Sequence, residues 1–136
     1  MTDQLILKFP SDEAYLNEDF YVSPSNHDAY DYINSWPQWI KRIVNIYGPS
    51  GSGKTHLSSI FKSKTSTLTV DAKTINESII STFKTKEALI IEDLDDKVNE
   101  TLLFSLWNIA LQDNKYFLLT SEKSIHEYKF KLPDLQ

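Results

Sequence analysis

The segment from Gly48 to Thr55 has the residue types and the spacing of a phosphate-binding loop. It reads GPSGSGKT and matches the pattern G-x-x-x-x-G-K-[ST] in full. Glycines let backbone N–H groups approach phosphate oxygens, the lysine adds positive charge, and the threonine hydroxyl can bind Mg²⁺. All three glycines of the chain lie in this segment, so one stretch of backbone has special conformational demands. The alternative is a surface turn rich in Gly and Ser. The predicted binding residues are Gly48, Pro49, Ser50, Gly51, Ser52, Gly53, Lys54, Thr55 and the adjoining His56, which also suits a structural role inside the following helix.

Two acids downstream can supply the carboxylates that a magnesium-bound nucleotide needs. Four apolar residues, ALII, precede Glu92 and Asp93. A buried strand that ends in acids is the Walker B pattern of phosphate-loop proteins. We expect Thr55, Glu92 and Asp93 to hold Mg²⁺ and both acids to act in catalysis. The simpler alternative is a strand that ends in solvent.

Alternating strand and helix patterns position these two motifs. Strand patterns cover residues 42–47, 66–71, 88–93 and 116–121. Apolar residues at helical spacing follow in residues 54–61, 75–83 and 98–110. Such alternation predicts an α/β fold in three layers, with a mostly parallel sheet between two layers of helices.

Composition excludes several classes of function. The chain has 136 residues, enough for one domain, and 14 Lys+Arg against 19 Asp+Glu give it a net charge of −5. The acidic balance argues against direct DNA binding by broad phosphate neutralisation. With no cysteine, disulfides and zinc–thiolate sites are excluded. Neither a signal peptide nor an apolar run long enough for a membrane span is visible, so we expect a cytoplasmic protein without a membrane partner.

Several segments together resemble the DnaA family of AAA+ ATPases. Besides the two motifs above, they are residues 20–26 (FYVSPSN), 35–39 (SWPQW), 118–121 (LLTS) and 132–135 (LPDL). The resemblance implies an AAA+ core that binds ATP or ADP with Mg²⁺. It also implies that Tyr21, Val22 and Asn26 cradle the adenine, and that Thr120 and Ser121 form the sensor 1 element.

Within that family, the N-terminal residues resemble the sliding-clamp-binding motif of the Hda-type regulators. The motif corresponds to Gln4, Leu5, Leu7 and Phe9, in the sequence QLILKF. An extended strand would present its apolar residues on one side, ready for an apolar pocket. The resemblance implies two partners, the DNA polymerase sliding clamp and the ATP-bound DnaA initiator. It divides the chain into an extended tail, residues 1–10, and an AAA+ core, residues 11–136. Alternatively, the same residues form an edge strand of the core.

Three departures from the family pattern modify these expectations. The acids stand as Glu-Asp where the family usually has Asp first, and the chain ends at Gln136, before the family's arginine finger and lid domain. We therefore expect negligible ATP hydrolysis by the chain alone. The fifth strand of the family sheet is also expected to be missing. This would leave residues 43–47 as an unprotected edge and favour self-association.

Two alternatives to the clamp-tethered regulator stay open. One is an initiator or helicase-loader type of AAA+ ATPase fragment whose N-terminal segment is structural. The other is an adaptor that binds clamp and nucleotide without turnover.

Overall fold

One parallel sheet of five strands forms the centre of the protein. The computed structural model describes residues 4–8, 27–39, 41–49, 53–128 and 130. The strands are β1 (Gln4–Lys8), β2 (Ile43–Tyr47), β3 (Thr67–Asp71), β4 (Ala88–Leu94) and β5 (Tyr116–Ser121). Their order across the sheet is β1-β2-β5-β4-β3, and every neighbouring pair is parallel. The predicted parallel α/β architecture is confirmed.

Helices cover both faces of this sheet. They are α1 (His27–Asn34), α2 (Lys54–Lys62), α3 (Ser78–Lys84) and α4 (Glu100–Gln112). Short 3-10 turns follow β3 and β5, at Ala72–Thr74 and Ile125–Glu127. None of the helices in these described ranges is long and apolar enough to cross a bilayer.

Strand residues alternate between two apolar clusters, one on each face. In β4, Leu89 and Ile91 pack with α3 and α4, whereas Ala88 and Ile90 pack with α1 and α2. Because side chains of a strand point alternately to opposite faces, continuous apolar runs such as this one can fill both layers of core. The central strands are therefore buried from both sides, and functional side chains are placed where the strands end.

The N-terminal strand β1 occupies the edge of the sheet beside β2. Leu5 pairs with Val44 and Leu7 with Ile46 in a parallel ladder. Leu5 and Leu7 pack against the α1–α2 cluster, and Ile6 packs against the other cluster. The expectation that β2 lacks a fifth-strand neighbour and forms an unprotected edge is wrong, because β1 covers it. Because β2 is not an open edge, the reason for expecting self-association through it no longer holds.

An aromatic cluster lies under α1, at the end of the sheet where β2 and β5 begin. Trp39 stacks on Phe61 with ring centroids 4.8 Å apart, and Trp36 meets Tyr116 edge-on at 5.4 Å. The Trp39 indole N–H donates to the carbonyl of Tyr32 at 2.8 Å. These contacts fix α1 and the following turn against α2, which begins at the phosphate loop.

Candidate functional site

The phosphate loop leaves the sheet at the end of β2. Gly48 follows β2 directly, is buried, and donates its N–H to the carbonyl of Ser121 at 3.0 Å. Gly53 precedes α2 with φ = 101°, in the left-handed region that a residue with a Cβ avoids. The first turn of α2 thus begins at the carboxyl edge of a parallel sheet, where ligands of such folds bind.

Lys54 lies at the start of α2 with its ammonium group over the loop. It is 8% exposed, and its Nζ donates to the carbonyls of Gly48 at 2.5 Å and Pro49 at 2.9 Å. Burial lowers the pKa of Lys54, while the negative charges of Glu122 and Asp93 oppose this shift. The ammonium group of Lys54 is therefore held over the loop carbonyls, with the carboxylates of Glu122 and Asp93 nearby.

Glu92 faces the hydroxyl groups of α2. It lines a cavity of about 160 Å³ together with Thr55, Ser58 and Thr69. Burial raises the pKa of Glu92, and hydrogen bonds from Ser58 and Thr55 partly offset this rise. Its Oε1 is buried and has no hydrogen-bond partner within the described part of the chain.

These features fit a hard divalent cation. An unpartnered carboxylate oxygen beside a threonine hydroxyl offers the oxygen ligands that Mg²⁺ prefers. Across the described ranges, no three carboxylate or imidazole groups come together to hold a metal ion. A magnesium ion here would thus take most of its ligands from phosphate oxygens and water, as Mg²⁺ commonly does.

The side chains of Glu92 and Asp93 line different cavities, because β4 is irregular at this point. The pairing with β5 shifts between Ile91 and Leu94, and Asp93 has φ = 60°. Its N–H donates to the Thr120 hydroxyl at 3.1 Å. A bulge of this kind re-aims a side chain. Consequently, Glu92 lines the cavity beside α2, and Asp93 lines a different one.

That second cavity has a volume of about 440 Å³ and carries charges of both signs. Asp93, Glu122, Lys73 and Lys123 are among its lining residues. No sequence motif contains Glu122, although it directly follows the last strand. Its position there was the available signal, because the carboxyl ends of parallel strands share one edge of the sheet.

The two residues predicted as sensor 1 differ in their contacts. The hydroxyl of Thr120 accepts from the Asp93 N–H, so Thr120 touches the Walker B segment directly. The hydroxyl of Ser121 is directed to β2 instead, where it accepts from Asn45 at 3.0 Å. Both residues are buried. Their role toward a nucleotide stays a prediction.

Other predicted residues lie elsewhere or outside the described ranges. The side chains of Thr55 and His56 are exposed on α2, and Leu5 and Leu7 are half-buried on β1, which begins at Gln4. Outside the described residues are Phe9, Tyr21, Val22, Asn26, Ser50, Gly51, Ser52 and residues 132–135.

Glu92 is buried where it could bind a metal ion, and this burial predicts that its ionised form destabilises the folded state. Its carboxyl keeps a proton to higher pH when folded than when unfolded, so stability falls as pH rises from the usual range through the folded-state pKa. We expect Glu92→Gln to raise the thermal midpoint by a few degrees at pH 8, with a smaller difference at pH 5.

Circular dichroism melts at both pH values check this prediction. Glu87→Gln, at an exposed position before β4, is the matched control and should leave the midpoint unchanged. A lower midpoint for Glu92→Gln at pH 8 would contradict the assigned cause of the shift. In the presence of Mg²⁺ and ADP the wild type should have the higher thermal midpoint of the two, because it alone gains the metal contact.

Gly48, Lys54 and the two separated acids lie at one edge of a parallel sheet, in the arrangement expected of a phosphate-loop fold. Among solved structures, the AMPPCP-bound DnaA of Aquifex aeolicus matches with a TM-score of 0.69 and 19% identity, over 85% of this chain and 44% of that one. Replication initiator DnaA bound to AMPPCP and single-stranded DNA matches with a TM-score of 0.70 and 18% identity, over 91% and 46%. A DNA replication initiation factor gives 0.68 and 18%, over 92% and 46%.

The protein therefore has a DnaA-like fold. It spans less than half the length of these structures. No protein-family model matches the sequence, and no curated protein matches it either.

Proposed function

We propose that this chain is the nucleotide-binding core of a DnaA-like AAA+ protein that acts in replication initiation in the cytoplasm. The observation that carries the proposal is the placement of Lys54 on the loop carbonyls and of Glu92 beside Thr55, at the same end of α2. Lys54 supplies positive charge for the phosphates, and Glu92 supplies an unpartnered carboxylate oxygen for their metal ion. The likeness of the fold to AMPPCP-bound DnaA supports an adenine nucleotide as the ligand.

Each of these groups has a proposed role in binding the nucleotide. Backbone N–H groups of the loop and the N-terminus of α2 hold the phosphates, and Lys54 adds a point charge. Thr55 and Glu92 would hold Mg²⁺, which neutralises phosphate charge. Asp93, which lines the neighbouring cavity and whose charge acts on Lys54, would orient the attacking water.

We do not expect this chain alone to hydrolyse ATP rapidly. The sequence has one arginine, Arg42, which precedes β2 and donates to the carbonyl of Asn114 at 2.7 Å. This places it at the end of the sheet opposite the phosphate loop. Since an arginine at the phosphates can be worth ~10³–10⁵ in rate, we expect the chain alone to bind ATP with negligible turnover.

Calorimetric titration with ADP and with AMPPCP, each with and without Mg²⁺, tests the nucleotide proposal. We expect binding of both, strengthened by the metal. Absence of binding by folded protein would refute it. A parallel titration with single-stranded DNA, the ligand of one structural neighbour, tests the composition-based expectation that this chain does not bind DNA directly.

A second candidate is an Hda-type regulator that is tethered to the sliding clamp and acts on ATP-bound DnaA. The observation that favours it is that the motif leucines, Leu5 and Leu7, lie on an end strand that pairs with β2 alone in the described sheet. The same leucines contact the α1–α2 cluster, so they cannot enter a clamp pocket while β1 stays in the sheet. Clamp binding would thus require β1 to leave β2.

This requirement gives the clamp experiment a matched control. Ile6 lies on β1 but packs against the opposite cluster and is not a motif residue. We expect Leu5→Ala/Leu7→Ala to abolish binding to the clamp, and Ile6→Ala, which loosens β1, to keep or strengthen it. Equal loss in both variants would show that clamp binding needs the folded strand. Absence of binding by the wild type would favour the ATPase with a structural N-terminal segment.

A further inference from the structure

A buried amide stands in the apolar strand that leads into the phosphate loop. Asn45 is the middle residue of β2, lies between Val44 and Ile46, and is 0% exposed. Burying an amide is costly unless its polar atoms are hydrogen-bonded. An apolar side chain could fill this buried position without needing hydrogen bonds. The hydrogen bonds of the Asn45 side chain therefore indicate the role of the amide.

Within the described part of the chain, the hydrogen bonds of its side chain go to the last residues of β5 and to the turn that follows. Its Nδ2 donates to the Ser121 hydroxyl at 3.0 Å and to the Leu119 carbonyl at 3.2 Å. Its Oδ1 accepts from the N–H of Ile125 at 2.9 Å. The Ser121 hydroxyl in turn donates to the carbonyl of Lys123 at 2.6 Å. One side chain therefore fixes both ends of the turn from Ser121 to Ile125.

This same turn touches the nucleotide site. The carbonyl of Ser121 accepts from the N–H of Gly48, the first residue of the loop. Glu122 and Lys123 line the larger cavity with Asp93, and the charge of Glu122 acts on Lys54. A displacement of the turn would thus move the start of the loop and the carboxylate near its lysine.

We propose that Asn45 is a positioning residue for nucleotide binding, which acts through Ser121 on Gly48 and on the wall that carries Glu122. It touches no phosphate itself. The inference rests on the proposed nucleotide binding and adds a residue that no motif contains.

The test compares substitutions on the two faces of β2. Asn45→Val keeps a strand-forming side chain but removes every hydrogen bond to the turn. Val44→Ala, in the adjacent register position, perturbs the opposite cluster and leaves the turn untouched. We expect Asn45→Val to weaken ADP binding about tenfold, the lower end of the loss seen when a hydrogen bond that orients a metal ligand is removed. Val44→Ala should lose stability yet bind ADP within about twofold of the wild type, since Val44 shares no hydrogen-bond partner with Asn45 in the turn.

Amide hydrogen exchange supplies a readout that a merely structural role would not move. In Asn45→Val the amides of Gly48 and Ile125 should exchange faster relative to the central β4 amides, and in Val44→Ala they should not. Unchanged ADP affinity in Asn45→Val, or an equal loss in both variants, would overturn the inference.

A milder variant and the wild type complete the design. If Asn45→Val does not fold, Ser121→Ala removes the hydroxyl alone and should weaken ADP binding in the same direction. Wild-type affinity with unchanged exchange at Gly48 in that variant would overturn the inference. If the wild type does not bind ADP, the proposed function fails, while the exchange at Gly48 still decides whether Asn45 fixes the turn.

Discussion

Lys54→Ala should weaken binding of ADP and of AMPPCP at least 100-fold without unfolding the protein. Charge-assisted hydrogen bonds to phosphate contribute about 1.5–3 kcal/mol each. Loss of two such bonds, at about 3 kcal/mol or more in total, corresponds to more than a 100-fold change in affinity. The folded state should tolerate the change, because the substitution also removes a desolvated charge whose burial lowers the pKa of Lys54.

Isothermal titration with a melting curve of each variant checks this result. Lys84→Ala, an exposed lysine in the last turn of α3, is the matched control and should bind like the wild type. Retention of wild-type affinity by Lys54→Ala would place the phosphates elsewhere and refute the loop as the site. A loss in both variants would indicate a nonspecific effect of charge.

Leu5→Ala/Leu7→Ala should lower the free energy of unfolding by about 2–4 kcal/mol. Each fully buried leucine costs about 2–5 kcal/mol when truncated, and these two are half-buried against the α1–α2 cluster. Losing the strand would also uncover the edge of β2, which is buried on both faces. Since domains of this kind have about 5–15 kcal/mol of total stability, such a loss is large.

Urea denaturation followed by circular dichroism measures this loss. Leu111→Ala makes the same chemical change on α4 at a position that is 36% exposed, and should cost less than about 0.5 kcal/mol. A double variant as stable as the wild type would show that β1 adds nothing to the sheet. The measurement also matters for the clamp hypothesis, because loss of clamp binding in this variant is interpretable only with its stability known.

Features that depend on neighbouring residues could be predicted from the amino-acid sequence. The phosphate loop is a contiguous pattern in which each residue type has a local reason, and the four strands of the core are runs of apolar residues with helical spacing between them. The parallel sheet follows, because alternating strands and helices can bury both their apolar faces in this way. The placement of Glu92 beside Thr55 agrees with the sequence pattern, since Glu92 lies near the end of β4 and Thr55 near the start of α2.

Features that depend on residues far apart in the chain could not be predicted in this way. The alternating residues 4–8 fit a free tail as well as an edge strand, and the ladder to β2, some forty positions away, makes them a strand. The bulge at Asp93 is held by Thr120, and Asn45 binds a turn that follows β5. A sequence pattern records each side chain's type and its spacing along the chain. Which distant partner satisfies a buried polar group or covers a strand edge depends on packing in three dimensions.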